Sequence, residues 1–202
     1  MPFFEELDAV RERWNVLNHP FYTRWSEGTL TREELAHYSG QYRHAVVALA
    51  EATAHAAQLE PSLAKHAAAE AEHVALWDGF VEVVGGDSSA AASPETAACA
   101  RAWSQDGSLL ETLVGIYAIE AAQPAISATK ATGLRERYGI DAPAATAYFD
   151  LHERLDVEHA AAGRAFIEAR LDAGGQAALV ARAEEVLKAN WELLDGVDRN
   201  AG

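Results

Sequence analysis

The chain has 202 residues, half of them hydrophobic, with a net charge of −15 and one cysteine. That length supplies one domain, residues 1–202, with a substantial core, and the acidity, offset by no basic stripe, argues against nucleic acid and anionic membrane surfaces as partners. Cys99 alone excludes an internal disulfide, "MPFFEELDAVRERW" lacks the basic and then apolar order of a signal peptide, and no run reads as a membrane span, so a soluble cytoplasmic protein is expected.

Abundant alanine, few prolines and the absence of alternating strand patterns predict an all-α protein of seven main helices. The first spans 3–17, and its exposed aromatics would allow a homodimer. "HPFYTRW" reads as a short connecting element. Thr31 opens the second helix, with Glu34 completing a capping box, and that helix runs to about Gln58. Pro61 suits the first turn of the third helix, which ends at Gly85 and Gly86. A linker over 86–93 leads to Ser93-Pro94-Glu95, the start of the fourth. Ser108 and Glu111 open the fifth, which reaches about Thr132 and is kinked by Pro124. Asp141 or a neighbour caps the sixth, about 143–172, and the seventh reaches about Asp198.

The sixth helix contains "HERLDVEH". His152, Asp156 and His159 stand at offsets of four and three, and at about 100° per residue all three leave one face. The third helix offers Glu70 and His73, the Glu-x-x-His spacing that di-metal carboxylate bundles use. His66 lies four residues before Glu70 on the same stripe. Glu120 is flanked almost wholly by apolar residues in "LVGIYAIEAAQPAIS". A buried carboxylate there costs several kcal/mol unless a partner or a cation compensates it. Three carboxylates and three imidazoles without thiolate suit iron or manganese, with zinc as a further option. Six ligands exceed what one metal with an open position needs and suit two. His19, His37, His44 and His55 read as ordinary helix and turn residues. Cys99 reads as part of an ordinary surface-like helix with no catalytic role.

"HPFYTRWSEGTLTREELAHYSGQYRHAVVALA", "IEAAQPAISATKATGLRERYGI" and "AYFDLHERLDVEHA" resemble the haem-oxygenase-like di-iron oxidases, the TenA/PqqC-like fold, and are most similar to the CADD-like branch. The resemblance covers most of residues 15–165. It implies a seven-helix haem-oxygenase-like bundle that binds two irons and uses O2. His152, Asp156, His159, Glu120 and His73 match ligands of that group. Glu70 fits the Glu-x-x-His form of other branches, whereas CADD-like members space their glutamate further from the histidine. CADD-like proteins are associated with making para-aminobenzoate from one of their own tyrosines. Tyr22, Tyr38 and Tyr148 match tyrosines of that branch and Lys130 matches a lysine. Ile119 departs from it, standing where the branch tends to have tyrosine.

The leading expectation is therefore an O2-dependent di-iron oxidoreductase acting on a small molecule in a biosynthetic pathway, with an external reductant. A CADD-like para-aminobenzoate synthase is the alternative. A metal-free TenA-like enzyme and a non-catalytic interaction protein are the remaining readings, because fold alone does not fix activity.

Overall fold

A computed structural model describes residues 2–172 and 174–199. Among them the chain forms nine α-helices and no strand: α1 (Phe3–Arg13), α2 (Pro20–Glu27), α3 (Arg32–Leu59), α4 (Ala64–Val84), α5 (Pro94–Ser104), α6 (Leu109–Glu120), α7 (Gln123–Glu136), α8 (Pro143–Glu168) and α9 (Gln176–Arg199). The all-α expectation holds, but the count of seven does not. "HPFYTRW" is a true helix, α2, because Pro20 fills its first position and the His19 imidazole accepts from the Phe21 N–H at 3.0 Å. The single kinked helix over 108–132 is two helices. Pro124 cannot donate to the Glu120 carbonyl, and α6 ends at Glu120 with α7 starting at Gln123.

Other boundaries shift for local reasons. α1 stops at Arg13 and a 3₁₀ turn, Val16–Asn18, follows it, with the Asn15 side chain accepting from the Leu17 N–H. Pro61 lies in a separate 3₁₀ turn, Pro61–Leu63, before α4. Asp141 does not cap α8. The cap position is Ala142, which makes no side-chain bond, while Asp141 pairs with Arg135 at 3.2 Å. α8 ends at Glu168, four residues early. Both capping boxes form: Glu34 with Thr31, and Glu111 with Ser108.

α3 packs on α4 and α5, α4 on α8, α8 on α7 and α6, and α9 closes the bundle against α5, α6 and α1. The core is aromatic at its centre, where Trp25, Tyr38, Tyr42, Trp77, Phe80 and Phe149 are fully buried. Each such side chain contributes about 1.5–3 kcal/mol through burial. Phe3 and Phe4 are also buried within the chain, so they offer no surface to a second copy. Cys99 is buried too, and burial raises its thiol well above the usual range, so its helix is not a surface one.

The run Leu109–Glu136 corrects a further expectation. Its 28 residues, with a mean hydropathy of 1.2 in the best window, are long and apolar enough to cross a membrane by those measures, although 61% of that window is buried inside the protein. The apolarity of α6 and α7 serves the core, and it carries Glu120 and Lys130, both buried, into it.

Candidate metal centre

Three helices bring their polar residues to one place. α4 presents His66, Glu70 and His73, α8 presents His152, Asp156 and His159, and α6 delivers Glu120 at its last residue. His66 Nε2 lies 2.7 Å from Glu120 Oε1 and 3.9 Å from Glu70 Oε1. His73 Nδ1 lies 3.0 Å from Glu70 Oε1. His159 Nδ1 is 3.5 Å from Asp156 Oδ1 and 3.8 Å from an oxygen of both Glu70 and Glu120. The six residues singled out in the sequence thus converge, and His66 joins them.

Glu70, Glu120 and Asp156 are 3, 2 and 1% exposed. Three carboxylates this close and this dry repel one another unless protons or a cation intervene. Burial raises Glu120, the adjacent His66 imidazole opposes that, and with Asp156 and Glu70 nearby its acidity is weakened overall. Burial would raise Glu70 as well, but the adjacent His73 imidazole, with His152 and His66, outweighs it and the net shift is downward. His159 is raised, chiefly by the Asp156 carboxylate. His152 is lowered, chiefly by burial.

The orientation of His152 is fixed. Its Nδ1 lies 2.7 Å from the Tyr148 carbonyl, which can only accept, so Nδ1 carries the proton and Nε2 is left with its lone pair. That Nε2 is buried and makes no hydrogen bond. The same holds for His66 Nε2, Glu70 Oε1, His73 Nδ1, Glu120 Oε1, His159 Nδ1 and both Asp156 carboxylate oxygens. These atoms lie within a few ångströms of one another without pairing in good geometry. Unpaired donors gathered in this way are the arrangement a metal site requires. Within 4.8 Å the donors form two groups, His66–Glu70–Glu120–His159 and Glu70–His73–His152. Glu70 belongs to both.

The four remaining site candidates form a separate, sealed cluster that touches the centre at one point. The Tyr148 ring stacks on His152 at 3.9 Å. Tyr148 meets Trp77 at 5.0 Å, and Trp77 meets Tyr38 at 6.1 Å. The Tyr22 and Tyr38 hydroxyls are 3.1 Å apart. Lys130 Nζ sits 4.4 Å from the Tyr42 ring centre, 5.4 Å from that of Tyr38 and 5.6 Å from that of Tyr22. Burial drives Lys130 well below the usual lysine range and Tyr22, Tyr38 and Tyr148 well above the usual phenol range. On the other side of the centre a cavity of about 460 Å³ is lined by His66, Glu120 and His159 together with Leu113, Ile116, Tyr117, Leu155 and Phe166.

Sequence reasoning noted His66 and Tyr42 but named neither as a site residue. His66 was visible on the Glu70 stripe, and its signal is a repeat: His-x-x-x-Glu-x-x-His on α4 against His-x-x-x-Asp-x-x-His on α8. Tyr42 carries no motif, and its packing against Lys130 is what places it in the cluster.

A helical bundle with nitrogen and oxygen donors gathered at its centre is the arrangement of the metal-carboxylate bundle proteins. Residues 66–191 match the family described as iron-containing redox enzyme, and the chain belongs to that family. It is 32% identical over 98% of its length to 4-aminobenzoate synthase of Nitrosomonas europaea, of which it covers 92%. It is 31% identical to 4-aminobenzoate synthase of Chlamydia trachomatis over 96% of its length, covering 91% of that protein. Among solved structures, a TenA homologue from Pseudomonas syringae pv. tomato superposes with a TM-score of 0.85 at 15% identity, over 98% of this chain and 93% of that one. A protein with a heme oxygenase-like fold from Shewanella denitrificans gives 0.79 at 19% identity, with the same coverage. The fold is thus haem-oxygenase-like, and the protein is an oxidoreductase.

Proposed function

We propose that the protein is an O2-dependent di-iron oxidoreductase that forms 4-aminobenzoate using one of its own tyrosines. The observation that carries this reading is the sealed tyrosine and lysine cluster in ring contact with the candidate metal centre through Tyr148 and His152. Relatives that bear the 4-aminobenzoate synthase name and align over nearly the whole chain support it. In this reading Glu70, His73, Glu120, His152, Asp156 and His159 hold two irons, for which manganese is the nearest substitute. Iron bound there supplies the activation of dioxygen, with electrons from an external reductant.

The chain's own residues set the conditions. The Tyr148 carbonyl holds the His152 proton at Nδ1 and keeps Nε2 free. Full burial of Tyr22, Tyr38 and Lys130 excludes water from the rings. The same burial keeps the phenols protonated and disfavours the ammonium form of Lys130. A neutral amine is a nucleophile, and Lys130 places it over the rings that would need a nitrogen.

A second reading has its own observation. The cavity of about 460 Å³ reaches His66, Glu120 and His159 and could admit an external small molecule. One experiment separates the two. Iron-loaded protein is given oxygen and a reductant with no added substrate, then followed by intact mass and product analysis. A mass change with release of an aromatic amine is expected. Phe replacement at one of Tyr22, Tyr38 or Tyr148 should stop it without loss of iron. Unchanged mass and no product would reject the self-modifying reading and leave the small-molecule oxidase.

A further inference from the structure

The two helices that face each other across the centre carry one pattern twice. α4 reads His66-x-x-x-Glu70-x-x-His73 and α8 reads His152-x-x-x-Asp156-x-x-His159. They run antiparallel. The His66 ring lies 4.2 Å from that of His159, the His73 ring 4.7 Å from that of His152, and Gly79 meets Ala144 further along. The leading histidine of each triplet therefore meets the trailing histidine of the other, as a local two-fold axis between the helices requires. Glu120 breaks that symmetry, entering from α6 beside His66 and His159.

Resting on the di-metal reading of this centre, we propose that His66 is itself a metal ligand. It holds the metal nearer the cavity together with His159, Glu120 and the shared Glu70, while His73 and His152 belong to the inner metal. Three observations carry this. His66 Nε2 is buried, and its 2.7 Å contact with Glu120 Oε1 lacks the geometry of a hydrogen bond. It stands with Glu70, Glu120 and His159 in a donor group within 4.8 Å, whereas the other group contains His73 and His152. The cavity reaches His66, Glu120 and His159 but not His73 or His152. The outer metal is thus the one exposed to exchange, and His66 is the ligand that retains it.

The competing role for His66 is that of a hydrogen-bond donor that only steadies Glu120. Gln separates the two, because its amide can donate to Glu120 but is a poor metal ligand. Wild type, His66→Gln and His73→Gln are titrated anaerobically with Co(II), followed by visible absorption, and the retained metal is counted after desalting. Wild type should bind about two ions per chain. His66→Gln should keep the inner ion and bind the outer one on the order of tenfold or more weakly. His73→Gln should weaken the inner ion instead. His66→Gln with both affinities and the cobalt spectrum unchanged would overturn the ligand role while leaving the di-metal reading intact. A wild-type chain that binds no metal would overturn both. Thermal melts of the metal-free variants confirm that each is folded.

Discussion

Glu120 is held in a place that disfavours its charge. It is 2% exposed, its acidity is weakened first by burial, and Asp156 and Glu70 add to that. Glu120→Gln keeps the shape and removes the charge. Metal-free Glu120→Gln at neutral pH should be more stable than wild type by roughly 1 kcal/mol, or about 2–4 °C in melting temperature, while retained iron falls. The sign follows from the direction of the shift. A carboxyl raised on folding contributes stability at low pH that is lost as pH rises through its folded value. The gain in the variant should therefore shrink as the pH falls toward 4.5, and a gain independent of pH would assign it to packing. Lys130 works in the opposite pH range. Its folded value lies below the unfolded 10.5, so between those two values the unfolded chain binds a proton that the folded chain does not, and stability rises with pH. Lys130→Met should raise the melting temperature at pH 7, by an amount that diminishes on approach to pH 10. Parallel melting curves for the two proteins across that range would contradict the assignment.

At the scale of the element, the centre depends on how closely α4 and α8 approach. A Cβ on Gly79 would come within 2.9 Å of the Ala144 carbonyl oxygen, and a backbone atom cannot swing aside as a side chain can. Gly79→Ala should destabilise the fold by about 1–3 kcal/mol, measured by denaturant unfolding, and should weaken metal binding by displacing His73 from His152. Wild-type stability with wild-type metal affinity would show that the crossing has slack. These two helices were also the most legible part of the sequence. Their stripes at offsets of four and three place donors on one face whatever the fold. The break after Glu120 was harder to read. Pro124 announces a lost hydrogen bond, but whether a helix bends or ends there depends on the packing around it, with Ile119 buried on one side and Gln123 on the other. α2 was hidden by its length, since eight residues are too few to display a period and a histidine is an unusual cap. The Tyr22–Tyr38–Lys130 cluster was named only through the family resemblance and has no motif of its own. Its members come from α2, α3 and α7 and are related only through tertiary packing.

At the scale of the molecule, donors from α4, α6 and α8 tie together segments far apart in sequence, so metal binding and folding are coupled. A metal that binds only the folded chain, at 100 times its dissociation constant, adds about 2.7 kcal/mol. Anaerobic Fe(II) should then raise the melting temperature by roughly 5–10 °C for a domain of this size, and a chelator should reverse it. No shift on loading would remove the centre from the stability of the bundle. The buried carboxylates explain why the metal-free chain has this stability to gain, since unneutralised they oppose the packing of the same helices that hold them.

The chain has three lysines, Lys65, Lys130 and Lys188, and Lys130 is 1% exposed behind a wall of aromatic rings. An amine-reactive reagent added to the native protein should mark Lys65 and Lys188 and spare Lys130 until the core opens. The same wall acts on the cell's own electrophiles. While the fold is closed, no dissolved aldehyde or acyl donor can find this amine, and its only possible reaction partners are those that arise within the protein itself.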